Sequence, residues 1–249
     1  MRQCRVYRGI LYGAGLLILA LGLTLNTKTG LGTSPIISVP YSVSTIFYLN
    51  FGNMTFAVYG IFVLTEMILH TIRNRRYARK GGKVLQHANQ RNQKLTLLMD
   101  FLQLPLSLIF TRLLNLFSGL LPDFSSSGSS SPKEMAVRII ALLIAIILTG
   151  IGAALSLNMR LVPNPGDGIV QVIADCIHKS VGFTKNCFDL INICITACLS
   201  LFLTGHLVGI GVGTILAMLG VGRVIAVFNH FTYEKLAGLA GLIEREERI

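Results

Sequence analysis

Six predominantly apolar runs, residues 8–26, 53–72, 95–121, 135–157, 187–204 and 208–231, are each long enough as a helix to cross a hydrocarbon layer of roughly 30 Å. Backbone amides in lipid have no water to bond, so such runs can cross only as helices with their hydrogen bonds closed internally. Composition agrees: 52% of the 249 residues are hydrophobic, 13% are charged, and the mean hydropathy is +0.65. Soluble domains carry about twice that share of charge, so a soluble enzyme is excluded. The net charge of +11 would suggest nucleic acid in a soluble chain. Here the cations cluster at the ends of the runs, where they set orientation and meet anionic lipid headgroups, so lipid and not nucleic acid is the expected partner. Arg2, Arg5 and Arg8 precede the first run without a small-residue cleavage site after it, which predicts an uncleaved first span.

Two further segments, 35–49 and 165–180, are helix-like but only about fifteen residues long, too short to cross. Orientation explains the first of them. The N-terminal arginines and the segment 73–94, with Arg73, Arg75, Arg76, Arg79, Lys80, Lys83, Arg91 and Lys94, should both be cytoplasmic. An even number of crossings must separate them, so segment 35–49 dips in and returns. Carrying the count forward puts the Ser-rich linker outside. Arg160, Lys179 and Lys185 fall inside, as does the tail with Lys235, Arg245 and Arg248, against Lys28, Lys133 and Arg138 outside.

The halves resemble one another. Gly22, Leu25, Pro35 and Gly52 align without gaps on Gly152, Leu155, Pro165 and Gly182, and Arg112 and Phe117 pair with Arg223 and Phe228 at a shorter offset. Three crossings per half make the second half run opposite to the first. The expected fold is an all-α polytopic membrane protein of six transmembrane helices and two re-entrant half-helices in an inverted 3+3 repeat. Residues 1–121 form the first repeat, with a cytoplasmic basic loop at 73–94. Residues 122–134 are the external linker, 135–232 the second repeat and 233–249 a cytoplasmic charged tail. Both termini are cytoplasmic.

Ser34-Pro35 and Asn164-Pro165 each read as an N-cap followed by Pro at the first helical position. Two helix N-termini, with free N–H groups and partial positive charge, would then face one cavity from opposite sides and suit a small anion. Gly32, Thr33, Ser34, Asn164 and Gly166 are the expected contacts there. Asp167, at the third helical position, is either a capping residue or an ion carrier. Ser38, Tyr41 and Thr45 share a face, as do Gln171, Asp175 and His178; Tyr41 and Gln171 match in the repeat. Asn186, Asp189, Asn192, Thr196 and Ser200 fall on one stripe that lipid would not tolerate. Asn192 is thus a substrate contact and Asp189 an ion-coupling residue. Glu66, inside a span, is the strongest candidate for proton coupling, against pairing with the adjacent basic loop. Arg112 and Arg223 lie within spans and are assigned to substrate, against an internal ion pair or snorkelling to the interface. Gly209-Ile210-Gly211-Val212-Gly213 lacks the strand context of a nucleotide loop and reads as a close-packing segment. The five cysteines show no metal spacing and read as packing residues.

Gly30-Leu31-Gly32-Thr33-Ser34-Pro35, Pro165-Gly166-Asp167-Gly168 and Gly209-Ile210-Gly211-Val212-Gly213-Thr214-Ile215 resemble the YczE/YyaS/YitT-type bacterial integral membrane proteins. Members often carry Asp where this chain has Ile37. The resemblance implies a bacterial cytoplasmic membrane location. The residues themselves point to a secondary-type transporter of a small polar, anionic solute. A passive channel of the same architecture, or a non-transporting membrane regulator or assembly factor acting through the basic loop, are the alternatives. No nucleophile and base pair, cofactor motif or metal motif is evident, so neither an enzyme nor a cofactor is expected; a homodimer is allowed.

Overall fold

A computed structural model describes residues 2–80, 83–124 and 131–241. They form eight helices: α1 Arg2–Lys28, α2 Pro35–Ile46, α3 Phe51–Lys80, α4 Lys83–Leu120, α5 Pro132–Asn158, α6 Pro165–Ile177, α7 Val181–Thr204 and α8 Val212–Leu239. No strand occurs among the described residues. Six helices are long and apolar enough to cross a membrane, whereas α2 and α6 have 12 and 13 residues, only about 18–20 Å of rise. The segment expected as a basic loop is instead largely helical, because α3 runs on to Lys80 and α4 begins at Lys83.

Polarity is turned inside out relative to a soluble protein. Ile61, Leu64, Ile68, Ile140 and Phe202 are exposed, while Ser38, Ser42, Glu66, Gln103, Asp189 and Thr196 are buried. That distribution is stable only where the surroundings are hydrocarbon, and the chain is a membrane-embedded helical protein.

Helix α1 packs most extensively on α5, and the two run antiparallel: Arg8 donates to the carbonyls of Met159 and Arg160, while Gly22 sits on Ala145 and Thr149. Missing side chains let the backbones touch. A Cβ on Gly22 would lie 2.5 Å from the Thr149 nitrogen and 3.0 Å from the Ala145 oxygen. A Cβ on Gly152 would meet Leu19 and, at 2.8 Å, the Gly15 oxygen. Subtracting 130 from 152, 149 and 145 gives 22, 19 and 15, so each contact is the other's counterpart.

Loop geometry repeats in the same register. Gly30 and Arg160 have φ +67° and +47°, and Tyr48 and His178 have +54° and +55°. The Ile37 amide donates to the Ser34 carbonyl as that of Asp167 does to Asn164; Leu49 donates to Ser44 as Lys179 does to Ala174. Pairings of the short helices also exchange between halves. Ser38 meets Thr196 and Ser42 meets Ser200, so α2 runs parallel to α7; Glu66 sits over Gly168 and Arg73 over Asp175, so α3 runs parallel to α6. One departure is clear: α3 packs closely on α4, whereas α7 hardly touches α8.

Lys28, Asp123, Asn50 and Asn115 mark one end of the bundle, and Arg8, Arg73, Arg160 and Asp175 the other. The Gly-rich stretch 209–213 packs closely, as its composition predicts, but against the loop after α1: the Gly213 amide donates to the Leu31 carbonyl at 2.8 Å.

Candidate functional site

Helices α2 and α6 start in the interior. Ser34, Pro35, Asn164, Gly166 and Asp167 line one cavity of about 30 Å³ together with Leu19 and Leu23 of α1 and Thr149 and Ala153 of α5. Each short helix therefore begins well back along the preceding long one, and the two N-termini face each other across the α1/α5 contact. Neither Ser34 nor Asn164 caps its helix with its side chain. Pro35 and Pro165 have no N–H, and Ile37 and Asp167 N–H donate to the Ser34 and Asn164 carbonyls, so it is the N–H groups of Ile36 and Gly166, with the positive ends of the two helix dipoles, that remain toward the cavity. Asn164 is 6% exposed and its Oδ1 has no partner.

Helix α7 adds charge. Lys185 and Asp189 line the same cavity, with Nζ 3.7 Å from Oδ2, and Asp189 Oδ1 is buried without a partner. One ammonium, two carboxylates and two helix N-termini in a space for about two waters form a site that recognises charge and hydrogen bonds. Its walls differ between halves. The counterparts of Asp167, Lys185 and Asp189, 130 positions earlier, are Ile37, Thr55 and Tyr59, all fully buried. Ile37 and Tyr59 join Phe110 and Leu114 in one apolar cluster, with the Tyr59 and Phe110 rings stacked at 6.3 Å. The side facing α3 and α4 is thus sealed by aromatic packing and the side facing α7 is polar, while α8 contributes the apolar Ala217, Val221 and Ile225.

A second polar assembly lies between α3 and α4. Gln103 Nε2 donates to Glu66 Oε2 at 2.7 Å, and one turn closer to the basic end His70 Nδ1 lies 2.7 Å from Asp100 Oδ2. All four residues are at most 7% exposed. Arg73 reaches Asp175 of α6 beyond them. No group of three or more metal-ligating side chains occurs among the described residues.

Of the residues singled out from sequence, Ser34, Asn164, Gly166, Asp167 and Asp189 are brought together at the cavity. Gly32 and Thr33 lie just before it and fasten the loop to the α8 entry, with Thr33 N–H and hydroxyl both donating to the Gly209 carbonyl. Asn192 is buried on the stripe facing α2 and donates to the Phe188 carbonyl. Glu66 belongs to the α3/α4 assembly. Tyr41 lies in a separate recess near the Lys28 end with Asn50 and Asn115, and Gln171 is exposed. Arg112 and Arg223 do not reach the cavity. Both are exposed, Arg112 donating to Asn53 Oδ1 at 3.3 Å and Arg223 beside an apolar recess of α5 and α8, because their helices turn the opposite face inward. Sequence reasoning passed over Asp100, Gln103 and the site role of Lys185. The signal was there: Asp100, Gln103, Ser107 and Thr111 form an i, i+3, i+4 stripe, the same pattern that identifies the polar face of α7.

Residues 6–230 match a family described only as a family of unknown function, DUF6198. An uncharacterized protein of Haemophilus influenzae is 33% identical over 111 residues, which are 42% of this chain and 48% of that protein. The chain therefore spans about half the length of this relative. No solved structure matches.

Proposed function

The chain belongs to DUF6198, a family of unknown function, and we propose that it is a secondary-type transporter of a small polar solute carrying an anionic group. The solute would bind where the N-termini of α2 and α6 meet. The observation that carries this reading is the convergence of Ser34-Pro35 and Asn164-Pro165 on one cavity with Lys185 and Asp189. An anionic group would lie against the helix N-termini and the Lys185 ammonium. The orphan oxygens of Asn164 and Asp189 would accept hydrogen bonds from donors elsewhere on the solute.

In this reading α2 and α6 are re-entrant half-helices and the two halves are inverted-topology repeats. The antiparallel α1/α5 pair, the matched φ values and the exchanged α2/α7 and α6/α3 contacts support it. Alternating access would open the aromatic seal at Tyr59 and Phe110 on one side and the α7/α8 gap on the other. Asp167, Asp189 and Glu66 are the coupling candidates. The basic end, with Arg8, Arg73 and Arg160, would face the cytoplasm of a bacterial cell and put both termini inside. Kinship with YczE/YyaS/YitT-type proteins belongs to the same proposal, since two of the three motifs that carry it form the half-helix entries and the third, at the start of α8, packs against the first.

The test is a thermal-stability screen of the purified protein against small anions, amino acids and other polar solutes. A ligand at a hundred times its dissociation constant adds about 2.7 kcal/mol. The expected hit is lost in Asn164→Leu and Lys185→Met and is taken up by proteoliposomes. A hit that both variants retain would move the site elsewhere, and binding without uptake would refute transport.

A further inference from the structure

Two buried oxygens in the α3/α4 assembly lack donors: Glu66 Oε1 and Gln103 Oε1. Both crowd the same spot on α6. A Cβ built on Gly168 would lie 2.8 Å from Glu66 Oε1, 3.0 Å from Oε2 and 3.2 Å from Gln103 Oε1. The second carboxylate oxygen already accepts from Gln103 Nε2 at 2.7 Å. A carboxyl and a primary amide lying alongside in this way leave oxygen facing oxygen on the other edge. Turning the amide over does not help, since one carboxyl oxygen always meets the amide oxygen. An ionised Glu66 would leave two acceptors buried together with no hydrogen, each costly to strand. A single proton resolves both: the acid O–H donates to the amide oxygen while the acid carbonyl accepts from the amide N–H, closing a ring.

We propose that Glu66 is a proton-binding site, holding its proton in an acid–amide ring with Gln103 roofed by Gly168. The surroundings agree. Glu66 and Gln103 are each 1% exposed, and among the described residues no cation pairs with Glu66. His70 on α3 is engaged by Asp100 of α4, which is itself a like charge one turn away. On α6, Arg73 takes Asp175 and Asp167 faces the central cavity. The α2 helix, the remaining neighbour of α3, carries no charged residue. A side chain at Gly168 would displace the carboxyl. The proton enters and leaves the carboxyl without other chemistry, and the His70–Asp100 pair is the next titratable group toward the basic end.

This deepens the transport reading by naming the coupling ion, and rests on that reading only for the coupling; the site is read without any solute. Infrared difference spectroscopy of the full-length protein in lipid, near neutral pH, should show the carbonyl stretch of a protonated carboxylic acid. Glu66→Gln should remove that band and still fold, because two amides close the same ring. Gln103→Leu should shift or abolish it, and Asp167→Asn and Asp189→Asn should leave it in place. Wild-type and Glu66→Gln spectra that superimpose in this region would overturn the proposal, as would a Glu66 signal found only as carboxylate, its oxygens then bonded to water. Should the band behave as expected while uptake proves independent of the proton gradient, the site stands and the coupling fails.

Discussion

Gly152→Ala tests the reading of the α1/α5 contact at the scale of one methyl group. The added Cβ would lie 2.7 Å from Leu19 Cα and 2.8 Å from the Gly15 oxygen, against ordinary contact beginning at 3.4 Å. Both obstacles are backbone, as is the still nearer Leu19 nitrogen, so no rotamer change relieves them and the helices must part by at least about 0.7 Å (3.4 less 2.7). A gap of 0.5–1 Å forfeits about a quarter to a half of each dispersion contact along the seam. That seam includes Leu16, Leu19, Ala145 and Ala153, all buried. Overpacking of this kind costs about 1–3 kcal/mol, and the absence of any yielding side chain puts the expected value at the upper end. For a chain of this length each kcal/mol lowers the melting midpoint by about 2–4 °C, so the loss should be of the order of 6–12 °C. Gly60→Ala, which meets nothing within 4 Å in the middle of α3, is the control. There the alanine restricts only the unfolded chain and should stabilise by about 0.4–1 kcal/mol. Thermal midpoints by size-exclusion chromatography in one detergent would decide the matter. A Gly152→Ala protein that melts with or above Gly60→Ala would refute backbone contact as the seam of this fold, and Gly22→Ala should repeat the result.

Three further outcomes are expected. Lys185→Ala leaves the Asp189 carboxylate 4% exposed without its cation and should cost about 1–3 kcal/mol, reduced from the fully buried case because the lysine is 24% exposed; adding Asp189→Asn should recover part of the loss, and strictly additive melts would show the two do not interact. Arg112→Gln and Arg223→Gln should preserve any solute-induced thermal shift of the wild-type protein, since neither side chain lines the cavity; loss of the shift in either would restore the arginines to the site. With native cysteines replaced, Tyr48→Cys and His178→Cys should react with a membrane-impermeant thiol reagent from opposite sides of sealed vesicles, and labelling from one side would rule out inverted halves. Gly52 is unsuited to the same purpose because a Cβ there would meet Asn115 at 2.5 Å.

Apolar run length gave all six long helices, although α3, α4 and α8 run eight, twelve and eight residues beyond their apolar runs into polar sequence, and the Ser34-Pro35 and Asn164-Pro165 starts of α2 and α6 were legible because a proline has few other places in a helix. Their convergence followed from counting charges across turns. What the sequence withheld is rotational phase. Arg223 stands among glycine, alanine, valine and isoleucine, so nothing local tells which face of α8 turns inward, whereas on α4 the stripe Asp100, Gln103, Ser107 and Thr111 marks the inward face and Arg112 lies off it. For α8 only its packing on α5 decides it. Tyr41 and Gln171 illustrate the same limit: they match across the repeat, yet each is midway along its short helix, about 9 Å of rise from its start, and neither lines the N-terminal cavity. The asymmetry of the walls was half visible, since Ile37 stands opposite Asp167, but the stacking of Tyr59 on Phe110 joins residues from separate helices.

The antiparallel seam also bears on biosynthesis. Arg8 and Met159, which meet at its basic end, are 151 residues apart. At about 5–20 residues per second, α1 leaves the ribosome roughly 8–30 s before α5. During that interval its glycine face has no mate, and Thr24 and Asn26, 0% and 1% exposed in the finished fold, must be accommodated at the bilayer edge. The first half therefore cannot mature alone: α2, α3 and α4 are laid down around a helix whose principal contact has not yet been synthesised. Truncation after Leu120 should yield an inserted but protease-sensitive fragment, and co-expression of residues 131–241 from a separate message should restore its resistance.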